Sequence, residues 1–192
     1  MFGQPKGLDR LPVLANQSIY LRAPTIDDHA AWAKLRGDSK AHLVPWEPRW
    51  QSDELSRQHF RELIMLYHKR AQDDHTYPFF IFATKTHELF GGITLFNLRR
   101  GIAQMATLGY WIGAAHAGQG HMTNALQLAS DYGFTTLHLH RLEAACLPGN
   151  VPSQKLLARA GFVAEGLAKS YLQINGKWED HLLYAKLTPS KG

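Results

Sequence analysis

His116-Ala117-Gly118-Gln119-Gly120-His121-Met122-Thr123-Asn124-Ala125 is a glycine-punctuated loop that runs straight into an amphipathic helix. Upstream, Met105 to Ile112 reads as a strand. Downstream, Met122, Ala125, Leu126 and Ala129 recur at helical spacing and make an apolar stripe. The first turn of a helix has unpaired backbone N–H groups and carries the positive end of the macrodipole, so main chain alone can hold a diphosphate there. Gly118 and Gly120 let the backbone turn freely and approach such a ligand closely. Two glycines ahead of a helix are more often an ordinary turn, so the loop takes its meaning from the segments on its C-terminal side.

The first of these is a strand-like run, Arg141 to Leu147; after it come Asn150-Val151-Pro152-Ser153, then Leu156-Leu157 and Gly161-Phe162. The loop and this second element together resemble the GNAT N-acetyltransferase family. There a Q/R-x-x-G-x-G/A loop binds the pyrophosphate of acetyl-CoA, and an Asn-x-x-Ser/Ala element ending in Gly-Phe comes one strand later. In this chain Ala117-Gly118-Gln119-Gly120-His121-Met122 stands at that place with side-chain positions replaced, which bears on side-chain contacts more than on the main-chain cradle.

Further pieces are similar to the RimJ/RimL branch of the family, its RimJ type above all, which acetylates ribosomal protein N-termini. They are Met1-Phe2-Gly3, His42-Leu43-Val44-Pro45-Trp46-Glu47-Pro48, Leu108-Gly109-Tyr110-Trp111-Ile112-Gly113, Leu156-Leu157-Ala158-Arg159 and Asn175-Gly176-Lys177-Trp178-Glu179-Asp180-His181. The Pro-Trp-Glu-Pro element is the most branch-specific of these. The resemblance implies a GNAT fold: a single mixed α/β, mostly antiparallel sheet, splayed between two central strands, with helices on both faces. It also implies acetyl-CoA as cosubstrate, with Trp111, Ile112 and Gly113 pairing with the pantetheine arm. Ala117, Gly118, Gln119, Gly120, His121, Met122 and Thr123 would form the pyrophosphate cradle, with Asn150 and Ser153 beside it.

A chain of 192 residues is long enough for one sizeable core, and no Pro-, Gly- or Ser-rich linker divides it, so one domain spanning 1–192 is expected. No long apolar run and no apolar leader core are present, which points to a soluble cytoplasmic protein without a membrane contact. The single cysteine, Cys146, lies in an apolar run and reads as a buried structural thiol. A net charge of +5 is dispersed among acids, so a polyanion partner such as the ribosome is compatible with the composition but not demanded by it. His138 and His140 lack a third ligand, and no metal is assigned. Monomer and homodimer are both open.

In chain order, residues 1–16 read as an irregular arm containing Gly3, Pro5, Gly7 and Pro12. A strand over 18–22, a helix start at Thr25-Ile26-Asp27-Asp28 and a helix ending near Gly37 come after it. The stretch Leu43–Trp50, with two prolines and two tryptophans, cannot be regular helix throughout and reads as a pocket wall or a packed loop. A helix over 53–71, strands over 78–84 and 89–98 with Gly91-Gly92 weakening or bulging the second, and a long helix over 122–134 come next. Asn150 is placed as an N-cap, Gly161 as the glycine that ends the helix, and Asn175-Gly176 as the turn of a hairpin. The order is β-α-α-β-β-β-α-β-α-β-β.

Acetyl transfer from a thioester to an amine needs a neutral amine, a polarised carbonyl and a proton for the departing thiolate. The backbone N–H of Ile112 is the candidate oxyanion donor. Many GNAT enzymes use a tyrosine in the last helix for the thiolate, but Leu157 stands there, so Ser153 is the candidate. The RimL-type glutamate of the terminal hairpin is replaced by Leu172. Glu47 is therefore the first candidate base, with Tyr110, Tyr171 and His181 behind it, and Trp46, Glu47, Tyr110 and Tyr171 are expected around the acceptor. An α-amine titrates near 7.7–8.0 against about 10.4 for lysine, so a missing carboxylate favours an N-terminal amine. The expected reaction is direct attack, in a ternary complex, by the N-terminal α-amine of a small-subunit ribosomal protein, in particular an N-terminal alanine. Two other readings stay open: acetylation of a small amine or antibiotic, and a non-catalytic acyl-CoA-binding ribosome-assembly factor.

Overall fold

A computed structural model describes residues 7–188 and forms one eight-stranded sheet. The strands are β1 (Leu14–Ala15), β2 (Ile19–Arg22), β3 (Thr76–Ala83), β4 (Leu89–Arg99), β5 (Met105–Ile112), β6 (Arg141–Cys146), β7 (Val163–Ile174) and β8 (Lys177–Leu187). Their order across the sheet is β1-β2-β3-β4-β5-β6-β8-β7, and every pair is antiparallel except β5 with β6. The helices are α1 (His29–Asp38), α2 (Lys40–Leu43), α3 (Arg57–Gln72), α4 (His121–Asp131) and α5 (Val151–Arg159).

The apolar content of β3 explains why helices cover both faces. All eight of its residues are buried, and their side chains alternate. Tyr77, Phe79 and Ile81 join the core under α4 and α5 with Leu126, Ala129 and Leu157, whereas Phe80 and Phe82 pack with Trp32 of α1 and Phe60 of α3.

Local chemistry sets the ends of the elements. Thr25 and Asp28 form a capping box before α1, and the Arg22 guanidinium holds both Asp28 oxygens at 2.8 and 2.6 Å. The Ser56 hydroxyl accepts from the His59 N–H, so α3 starts at Arg57 rather than at Asp53. The Phe162 N–H donates to the Leu157 carbonyl and the Gly161 N–H to that of Ala158, a Schellman closure of α5 with Gly161 at φ 83°. Asn175 and Gly176, at φ 45° and 83°, make the tight turn between β7 and β8.

Four expectations are corrected. Residues 1–6 lie outside the described ones, but Leu14–Ala15 is not irregular: it adds an edge strand by pairing with Leu21 and Tyr20. The segment after Gly37 continues through α2 into a 3-10 turn, Val44–Trp46, whose proline tolerates the tighter winding at its start. The helix expected over 122–134 ends at Asp131 and widens into a π-turn, Tyr132–Thr136. The last hairpin, expected as Lys169–Ile174 and Lys177–Leu187, is longer in its first strand, because β7 begins at Val163.

One feature of the sheet positions everything else. β5 and β6 pair only through Met105–Thr107 and Arg141–Glu143, and beyond these residues the two strands part.

Candidate active site

The parting of β5 and β6 leaves one edge of β5 without a sheet partner from Leu108 onward, while its other edge pairs with β4 as far as Gly91 opposite Ile112. The Gly113 N–H donates to the Phe90 carbonyl on the β4 side at 2.8 Å. Backbone polar groups alternate between the two edges of a strand, so the N–H and C=O of Ile112 and Tyr110 face the gap. Of Trp111, Ile112 and Gly113, only Ile112 thus offers main chain to a ligand between the strands. The amide of Gly113 is committed to the sheet. Gly91 and Gly92 have their own reason here: a Cβ would lie 2.3 Å from the Trp111 carbonyl oxygen and 2.6 Å from its indole nitrogen, respectively.

At the end of β5 the chain passes through a 3-10 turn, Ala114–His116, fixed by the Ser39 hydroxyl, which accepts from the Ala114 N–H at 2.9 Å. Gly118 and Gly120 come next at φ 75° and 83°, and no side chain caps α4. Its first backbone bond runs from Asn124 N–H to Gly120 C=O, leaving the N–H groups of His121, Met122 and Thr123 without helical acceptors. A Cβ on Gly118 or Gly120 would meet nothing within 4 Å. The cradle is therefore open space lined by donors, which fits a diphosphate.

A cavity of about 840 Å³ joins the gap to this loop. Trp111, Ile112, Ala117, Gly118, Gly120, His121, Met122, Thr123, Asn150 and Ser153 line it, as do Trp46, Glu47 and Tyr110. Gly113, Gln119 and Tyr171 do not. The Gln119 side chain turns back to the Ala115 carbonyl at 2.7 Å, and Tyr171 is exposed with its ring 5.8 Å from that of His181.

In the wall of the cavity the hydroxyls of Tyr110 and Ser153 are 2.7 Å apart across the gap. Ser153 is held by the start of α5, where the Asn150 side chain accepts its N–H at 3.1 Å. Burial pushes the Tyr110 phenol above its ordinary range, against the opposing effect of the Ser153 hydrogen bond, and it pushes the neighbouring Cys146 thiol up as well. Both stay protonated at neutral pH. Tyr110, expected as an acceptor contact, is thus joined to the group expected to serve the thiolate. Leu157, at the position of the family's tyrosine, is fully buried in the core.

Glu47 is not arranged as a free base. Its carboxylate accepts from the Arg36 guanidinium at 2.6 and 3.2 Å and from the Trp50 indole N–H at 2.7 Å. Arg36 lies against the rings of Trp32, Trp50 and Trp111 at 5.6, 4.7 and 5.0 Å. The sequence reading missed Arg36. Its signal is a charged residue one helical turn after the buried Trp32, on the apolar face of α1. The Glu47 carbonyl accepts from the Asn175 N–H at 3.0 Å, tying the turn of the last hairpin to this wall. His181 is buried, lines the cavity and has Nδ1 2.9 Å from the Glu179 carbonyl. Donation from Nδ1 leaves the lone pair on Nε2, the tautomer a proton acceptor requires.

A second, more open hollow of about 690 Å³ lies beside the first and shares Trp46, Leu147 and Ile174 with it. Pro45, Pro148, Gly149, Asn175, Lys177, Trp178, Glu179 and Asp180 complete its walls. Among the described residues no group of three or more His, Cys, Asp or Glu could hold a metal ion, and no helix is long and apolar enough to cross a membrane.

Residues 18–163 match the family model described as "Acetyltransferase (GNAT) domain". The chain is 36% identical over 177 residues to a Bacillus subtilis protein named "Probable N-acetyltransferase YjcK", covering 92% of this chain and 98% of that one. It is 31% identical over 191 residues to the Escherichia coli "[Ribosomal protein uS5]-alanine N-acetyltransferase", covering 98% and 97%. Among solved structures, Mycobacterium smegmatis RimJ in complex with CoA-disulfide superposes with a TM-score of 0.85 at 34% identity, covering 92% of this chain and 86% of that one.

Proposed function

The chain belongs to the GNAT acetyltransferase family and is an acetyl-CoA-dependent acyltransferase of its RimJ-like branch; we propose that it acetylates the N-terminal α-amine of a protein in the cytoplasm, a small-subunit ribosomal protein in particular. The observation that carries the reading is the open hollow that continues the cofactor cavity past Trp46, Leu147 and Ile174. A small amine would need only the cavity. An extended chain needs a walled continuation for the residues after the first, and the aromatic Trp46 and Trp178 suit peptide backbone and side chains alike. The relative whose name specifies the alanine of uS5 matches over nearly its whole length, which supports a ribosomal acceptor.

Acetyl-CoA supplies an activated acyl group, and the protein supplies position and protons. The Ile112 N–H polarises the acyl oxygen from the free edge of β5. The Ser153 hydroxyl, hydrogen-bonded to Tyr110 at 2.7 Å, donates its proton to the departing sulfur and regains one from solvent, to which the proton taken from the amine is returned. Nε2 of His181 is assigned the proton of the attacking amine, directly or through water, and an α-amine already has a useful neutral fraction near neutral pH. Glu47 positions the acceptor wall through Arg36, a reassignment from the base expected from sequence.

Acceptor length tests the reading. The value of kcat/KM should rise steeply from alanine amide to a tetrapeptide with the same first residue, as the hollow fills. A flat dependence would instead assign the enzyme to small amines.

A further inference from the structure

Between Gly101 and His140 the chain contains no lysine or arginine, so the loop that cradles the diphosphate has no permanent side-chain cation of its own. It is flanked instead by two imidazoles, His116 before the glycines and His121 at the first position of α4, and both line the cavity. The Phe90 ring lies against both, with centroids 4.2 and 4.4 Å away and planes tilted by 33° and 34°. An imidazolium on an aromatic face is stabilised by the ring quadrupole.

We propose that His116 and His121 form a proton-linked clamp on the diphosphate of acetyl-CoA, charging as the cofactor binds. The proposal rests on the acetyl-CoA site and is independent of which amine accepts the acetyl group. The groups that face the pair are few. His116 Nε2 lies 3.4 Å from the Glu88 carboxylate, an ion pair whenever the ring is charged. His121 is held below the ordinary imidazole range by burial first and by His116 second, so one charge disfavours the other in the free protein. His42, Glu47, Lys155, Arg159 and His181 line the same cavity on other elements. The diphosphate is anionic throughout the range in which imidazole titrates. Bound in the cavity that both rings line, it offsets their mutual repulsion by attraction to each.

Binding therefore raises the proton affinity of both imidazoles, so the complex takes up protons, and affinity increases as pH falls between the free and bound titration ranges. An opposite charge at contact distance moves such a group by about one to three pH units, so CoA should bind roughly tenfold or more tighter at about pH 6 than at about pH 8.

The test is calorimetric titration of the full chain with CoA and, in parallel, with acetyl-pantetheine, which lacks the diphosphate. CoA binding by the wild type should show net proton uptake across buffers of different ionisation heat. The variant His116→Asn/His121→Asn should lose both that uptake and the tenfold pH dependence. Acetyl-pantetheine should show neither in either protein, which separates the pair from His42 and His181. If the double variant does not fold, the wild type still decides through dephospho-CoA, which keeps the diphosphate but lacks the 3′-phosphomonoester that itself titrates near about pH 6: it should show the same proton uptake as CoA, and uptake confined to CoA overturns the proposal. Equal proton uptake for CoA and acetyl-pantetheine, or a pH dependence retained by the double variant, overturns the proposal. A failure to acetylate protein N-termini would leave these binding results unaffected.

Discussion

Replacing Glu47 by glutamine separates a positioning carboxylate from a base. The side chains of Arg36 and Glu47 are only 8% and 19% exposed, and the pair is bidentate at 2.6 and 3.2 Å. Removing one charge of a buried pair costs about 3–5 kcal/mol, because the other is left uncompensated. The glutamine oxygen can still accept one hydrogen bond from Arg36, so the lower end, about 3 kcal/mol, is expected. For a chain of 192 residues each kcal/mol is worth roughly 2–4 °C, and the melting temperature should fall by about 6–12 °C. Arg36→Lys, which keeps the charge but loses the fork, should lower it in the same direction. In both variants the pH–rate profile should keep its shape, because the wall has shifted and no titrating group has been removed. Calorimetric melting and kcat/KM against pH are the assays. An unchanged melting temperature, with kcat lowered a hundredfold and the acid limb of the profile gone, would make Glu47 the base and overturn its assignment as a positioning residue.

Tyr110→Phe and Ser153→Ala should each lower kcat by about tenfold to a hundredfold with little change in CoA affinity, and the double variant should be far from additive, since the two hydroxyls act through one hydrogen bond; pre-steady-state kinetics would resolve this. Gly120→Ala places an L-residue at φ 83°, costing about 1–2 kcal/mol, and its methyl enters the open cradle, so CoA affinity measured by titration should fall at least tenfold. Burial raises the Asp74 carboxyl, but hydrogen bonds from Arg100 and Tyr77 outweigh it and hold the group below the usual range. A depressed folded-state value means stability that is present above the unfolded carboxylate range and lost as pH falls through the folded one. Acid melting curves should therefore show a loss below about pH 4 that Asp74→Asn removes.

Much of the cofactor side was legible in the sequence because it is local. Apolar periodicity located β5 and α4, and single residues with one backbone role marked the boundaries: Asn150 as a cap, Gly161 as a helix stop, Asn175-Gly176 as a turn. The acceptor side was not legible, because it is assembled from distant pieces. Tyr110 and Ser153 are 43 positions apart and meet only because β5 and β6 separate. Arg36 looks like an ordinary helix residue until three tryptophan rings and Glu47 surround it, and only that contact shows that Glu47 is occupied. The strand at Leu14–Ala15 is two residues long, too short for any periodicity, and exists because the edge of β2 offers it a partner.

Acetyl transfer to a protein N-terminus is decided by intact-mass analysis. The purified chain would be incubated with acetyl-CoA and synthetic N-terminal segments of small-subunit ribosomal proteins that also contain lysine, each with a free or a blocked α-amine. One added acetyl group is expected on the free N-terminus, found on the α-nitrogen by fragmentation, and none on the blocked peptide. Acetylation of the blocked peptides on lysine, or no transfer to any peptide while small amines are modified, would be incompatible with an N-terminal acceptor.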